Sequence, residues 1–174
     1  MLYCGLDISS VRIGISVIND LEEIILSQTY KFTDLDSQFD KRMILKNMVM
    51  KVLKSCKLNI IFLEEVRLFS YGGKGNYFIS EKAIFRLLSL IITLMNEEIK
   101  VYKINSRSWK SRILRGPKKV LNKQKNKKSG TDKQESVKFI QEVYNINVNH
   151  DQADSICIAI YARRFGEEMA KLID

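Results

Sequence analysis

Five acidic residues stand out by where they fall in the chain: Asp7, the Glu64-Glu65 pair, Asp151 and Asp154. Asp7 sits near the end of an apolar run, just before a turn with two serines. Glu64-Glu65 follows the run Ile60-Ile61-Phe62-Leu63, and Asp151 and Asp154 open the segment that continues Ile156-Cys157-Ile158-Ala159-Ile160. Acids are poor strand residues and costly to bury without partners. At the ends of buried elements they are therefore candidates for use, the plain alternative being acids that start turns and cap a helix. Their spacing puts Asp151 and Asp154 on one helical face, in a first turn where the helix dipole favours negative charge. Carboxylates packed together repel one another unless a cation neutralises them. Hard divalent cations take carboxylate oxygens and keep several waters, and two of them about 4 Å apart can clamp an in-line phosphoryl transfer. Period two groups Glu64 with Ile60 and Phe62, and Glu65 with Ile61 and Leu63. The alternation alone does not decide which of the two acids joins the set.

The charge pattern supplies a partner for that chemistry. Net charge is +9, yet between Lys103 and Lys138 there are 13 Lys or Arg against two acids, Asp132 and Glu135. One concentrated basic zone on a near-neutral body points to a polyanion, nucleic acid above all. Acids to hold metal and a basic tract to hold phosphates together form the toolkit of a nuclease. Lys74, Arg107, Lys110, Lys118 and Lys119 are the candidate phosphate contacts, which need charge and little else.

Other classes find little material. With 45% apolar residues the 174-residue chain is no disordered segment, and its length suits one domain, 1–174. The most apolar stretch, Ala83 to Met95, contains Arg86 and is too short to span a bilayer. No signal-peptide pattern opens the chain, and Cys4, Cys56 and Cys157 form no metal-type pair. A cytoplasmic protein with reduced thiols is the expectation. The one histidine, His150, adjoins Asp151. It is read first as a neighbour of the helix cap, with a general-base role as the alternative.

The elements that must position the acids follow in order. Residues 2–8, 11–18 and 22–32 are predicted as an antiparallel meander. A helix should start among Thr33, Asp34, Asp36 and Ser37 and run to about Cys56, with Phe39, Met43, Leu45, Met48, Val49, Val52, Leu53 and Cys56 as its apolar set. Residues 59–66 read as a central strand beside the first. A mostly apolar helix over 78–97 would also bury a subunit interface. A short strand over 100–104 precedes a short helix from Ser106, with Trp109 as its packed residue. Lys118 to Gly130 reads as a loop, and helices over 131–144 and 150–172 close the chain. The fold class is α/β, a sheet of mixed direction (three antiparallel strands, then two further strands) with helices on both faces.

These residues carry a family resemblance. GLDISSVRIGISVI, from Gly5, resembles the opening strand pair of the RNase H-like superfamily. LEEV, Leu63 to Val66, is similar to the IEQV type of motif in RuvC Holliday junction resolvases, and HDQADSICIAIYA, His150 to Ala162, to their closing helix. The resemblance covers nearly the whole chain in element order. It implies an RNase H-like fold and a metal-binding, catalytic tetrad of Asp7, Glu64, Asp151 and Asp154, with Glu65 left as a supporting acid. It also implies magnesium, with two ions per site and manganese as a substitute, a homodimer, and cleavage of two opposed strands of branched, four-way DNA. Bacterial members carry an aromatic residue three positions after the glutamate, where this chain has Arg67, its nearest aromatics being Phe69 and Tyr71. That departure, the Lys-rich 118–128 insert and the low-Pro, Lys/Ile/Asn-rich composition are more similar to bacteriophage RuvC-like enzymes. Cleavage of RNA–DNA hybrid or structured RNA, or nucleic-acid binding without catalysis, are the rival readings.

Overall fold

The computed structural model describes residues 1–9, 11–33, 37–58, 60–65, 100–114, 132–166 and 171–172. The elements read at 71–76 (loop), 78–97 (helix) and 118–130 (loop) lie outside the described residues, as do Lys74, Lys118 and Lys119. Strands β1 (Leu2–Ile8), β2 (Arg12–Asn19) and β3 (Ile24–Lys31) form the expected meander. Helix α1 (Gln38–Ser55) follows, then β4 (Ile60–Glu65) and β5 (Lys100–Asn105). A short helix α2 (Ser106–Trp109) widens at its end into a π-type turn over Lys110–Leu114. Helices α3 (Asp132–Tyr144) and α4 (His150–Phe165) come next, and a two-residue strand β6 (Lys171–Leu172) closes the described chain.

The strands lie in the order β3-β2-β1-β4-β5-β6. β4 pairs parallel with β1 and with β5, so the sheet is of mixed direction. Its two faces follow from strand alternation. Cys4, Leu6, Ile13, Ile15, Val17, Ile61 and Leu63 pack with Leu45, Val49 and Val52 of α1. Ile60, Phe62, Tyr102 and Ile104 pack on the other face with Trp109, Ile140 and the buried stripe of α4. Helices therefore cover both faces, as expected for the α/β class. Among the described residues no helix is long and apolar enough to cross a membrane.

One expected start holds and two boundaries move, each for a local reason. α1 is started by Ser37, in a capping box with Asp40. Its buried stripe begins at Leu45, because Phe39 and Met43 fall on the exposed side. The third strand starts at Ile24, since Glu22 turns the chain with a positive φ of 62°. The last helix ends at Phe165 rather than 172. Gly166 caps it with a φ of 44° and donates its N–H to Ala162 O, and residues 171 and 172 instead pair antiparallel with β5. A reading by apolar periodicity runs past such a stop, which is set by glycine's access to positive φ.

Candidate active site

The site is built where β1 and β4 end beneath the first turns of α4. In the parallel β1–β4 pair Leu6 lies beside Leu63, so Asp7 and Glu64 occupy neighbouring positions one residue further along. Asp7 belongs to the face of Tyr3 and Gly5, and that face carries α4. The helix comes so close that a Cβ on Gly5 would stand 2.1 Å from Ser155 O and 2.5 Å from Ala159 N. A Cβ on Gly14, the β2 partner of Asp7, would stand 2.2 Å from Asp151 O. Only glycine permits this approach of backbone to backbone, and it sets the N-terminal turn of α4 over the end of β1.

Polar contacts fix the same turn. Asn149 and Gln152 form a capping box. Asn149 Nδ2 also donates to Thr29 Oγ1 at 3.1 Å, and Gln152 Nε2 to Ser27 O at 3.4 Å. Beneath them Ser155 Oγ lies 2.7 Å from Ser16 Oγ, which lies 2.9 Å from Ser27 Oγ. Ser16 and Ser155 are fully buried, so this hydroxyl chain answers buried groups that would otherwise cost stability.

Asp7, Glu64, Asp151 and Asp154 are thus brought within electrostatic reach of one another. Burial pushes the Asp7 carboxyl well above the ordinary carboxylate range, and Glu64, Asp154 and Asp151 push it further, while Lys110 pulls it down. Glu64 is raised by burial and by Asp154, against Lys110 and hydrogen bonds from Trp109 and Ser106. Asp154 is raised by burial and Asp151, against a hydrogen bond from Ser136 and the charges of Lys110 and His150. Three of the four acids lean on a hydrogen-bonding protein partner. Arg12 Nη1 donates to Asp151 Oδ2 at 3.2 Å, Trp109 Nε1 to Glu64 Oε2 at 3.1 Å, and Ser136 Oγ to Asp154 Oδ1 at 2.5 Å. Among the described residues no three metal-ligating side chains close into a ready cage. The donor set nevertheless suits a hard cation: oxygen donors alone, desolvated and short of positive charge.

No family model matches the sequence, and no curated protein does. Solved structures do. Against RuvC of T. thermophilus in complex with Holliday junction substrate the TM-score is 0.75 at 13% identity, with 99% of each chain covered. A second Thermus thermophilus RuvC structure gives 0.71 at 14% identity, covering 99% of this chain and 100% of that one.

The fold is that of RuvC.

The yeast mitochondrial Holliday junction resolvase Ydc2 shares it at a TM-score of 0.62 and 13% identity, over 95% of this chain and 79% of that one. On this RuvC fold Lys110, read from sequence as a phosphate contact, stands beside the acids, its charge acting on Asp7, Glu64 and Asp154 alike. Arg107 is exposed at the start of α2. His150 is exposed at the first position of α4, near enough to act on Asp154. The Glu64 carboxyl group reaches the acid cluster, and the Glu65 backbone is in register with Asn105 in the sheet. Sequence reasoning missed Arg12 and Ser136 as partners of the site and saw Trp109 only as packing. For Ser136 the sequence held no signal, since its full burial and its contact with Asp154 exist only in the fold.

Proposed function

We propose that this chain is a metal-dependent, structure-selective endodeoxyribonuclease that resolves four-way and other branched DNA by paired strand hydrolysis. The observation that carries the reading is the gathering of Asp7, Glu64 and Asp154 around Lys110, with Asp151 close enough to act on Asp7 and Asp154, where β1 and β4 end beneath α4. The RuvC fold supports the substrate class, since one solved neighbour is a RuvC bound to a Holliday junction and another a Holliday junction resolvase.

The four acids would hold magnesium, or manganese in its place, at two positions. When bound, the ions supply Lewis acidity at the phosphodiester and lower the pKa of water. The chain's own residues do the rest. The sheet and α4 hold the carboxylates in place before substrate arrives. Burial keeps their field strong by excluding water. Lys110 offers a positive charge to a phosphate entering beside the acids, and Arg107, Lys74, Lys118 and Lys119 are the further proposed phosphate contacts, on the ground of their charge. A homodimer would present two such sites to opposed strands.

A cleavage assay tests this on a synthetic four-way junction with magnesium, beside linear duplex, flap and RNA–DNA hybrid. Paired symmetric nicks on the junction are expected. Cutting of the hybrid alone would move the protein to ribonuclease chemistry. Binding with no cutting in magnesium or manganese would reduce the acids to caps.

A further inference from the structure

Trp109 has a place that packing alone does not explain. It is the chain's one tryptophan and is fully buried. Its ring lies in the cluster of Phe62, Tyr102, Ile104, Ile113 and Ile156. The route to that position is short. Glu64 is the register partner of Ile104, β5 ends at Asn105, and the Asn105 side chain caps α2 by accepting the Arg107 N–H at 2.9 Å. One helical turn then returns Trp109 to the end of β4, where its indole N–H meets Glu64 Oε2 at 3.1 Å. The ammonium of the next residue, Lys110, lies over the same ring, 5.2 Å from its centroid. An indole offers a donor at its edge and electron density at its face. One rigid ring thus holds an anion by its edge and a cation by its face.

We infer that Trp109 is a positioning residue of the site, holding the Glu64 carboxylate in place to receive a divalent cation and Lys110 beside it. Glutamate has three side-chain torsions to immobilise, whereas the buried indole is already locked by packing. An indole N–H can only donate, so it matches a carboxylate acceptor. The inference rests on the reading of Glu64 as a metal-holding acid.

The test uses the full chain. Manganese binding is measured by electron paramagnetic resonance of the free ion for wild type and Trp109→Phe, which keeps a ring face for Lys110 and loses the N–H. A loss of affinity of about 10- to 100-fold is expected, together with a urea midpoint showing a folded protein. Affinity within twofold of wild type in a folded variant would overturn the role and leave Trp109 as packing. In parallel, the wild-type emission of Trp109 is titrated with magnesium. A saturable change that disappears in Glu64→Gln is expected. An emission unmoved by magnesium while manganese binds would overturn the role even if Trp109→Phe failed to fold. No manganese binding by wild type would overturn the metal reading of the whole site, and the positioning role with it.

Discussion

At the scale of single residues, the site is a cost that the fold carries. Asp7 is desolvated and faces three other acids, with Lys110 as the cation that eases it. Removing its charge without changing its shape therefore has two opposite consequences. Asp7→Asn is expected to abolish junction cleavage while leaving junction affinity within about twofold, because phosphate contacts and not this acid carry binding. Single-turnover cleavage and binding measured at one salt concentration check this. Without divalent ions the same variant should be more stable than wild type at neutral pH, by about 1 kcal/mol, since a like-charge repulsion is gone. A urea series with chelator reads that difference, and an excess of magnesium should shrink it by stabilising the wild type alone.

At the scale of elements, the decisive contact is α4 against the β1–β2 pair. Gly5 meets helix backbone, which cannot swing aside as a side chain could. Gly5→Ala is accordingly expected to cost about 3 kcal/mol and to lower cleavage by displacing Asp151 and Asp154 from Asp7. Denaturant midpoints and cleavage rates together test it. The other end of α4 is held by Glu22, which accepts from Arg164 Nε at 2.7 Å and from Tyr144 Oη at 3.1 Å, with Arg163 3.5 Å away. Arg164 first, with Tyr144 and Arg163, holds the Glu22 carboxyl below its usual range. A depressed folded pKa means stability that is fully present above the unfolded value, 4.5, and lost as pH falls through the folded one. Glu22→Gln should remove about 1 kcal/mol at neutral pH, a modest figure because the arginines are 37% and 40% exposed. The gap from wild type should close as pH drops below that range, a trend that thermal melts across pH would follow.

For the whole molecule, charge and topology divide the labour. The acids gather at one end of the sheet, while the surplus of positive charge lies in Lys103 to Lys138. Junction affinity should fall steeply and log-linearly with salt. Filter-binding or anisotropy titrations that barely moved between low and physiological salt would remove the electrostatic account. Paired nicking calls for two sites, so light scattering should give twice the chain mass. A monomer that still nicks both strands in one encounter would separate the nuclease reading from the dimer.

Much of this protein was legible before any fold was known, because the signals are local. Strand alternation assigns each side chain a face, so Asp7 could be grouped with Gly5, and Glu64 with Phe62. Turn and cap residues announce where elements start, and the His150 opening of α4 was read correctly on that basis. A stop set by one glycine's backbone, as at Gly166, was overrun. What only the tertiary structure decided are encounters between residues far apart in sequence: Arg12 with Asp151 across 139 positions, Trp109 with Glu64 across 45, Ser136 with Asp154 across 18. Periodicity carries no information about which helix lands on which strand. That choice is made by close packing, here by two glycines that leave room for a helix backbone and so set its acids above the end of the first strand.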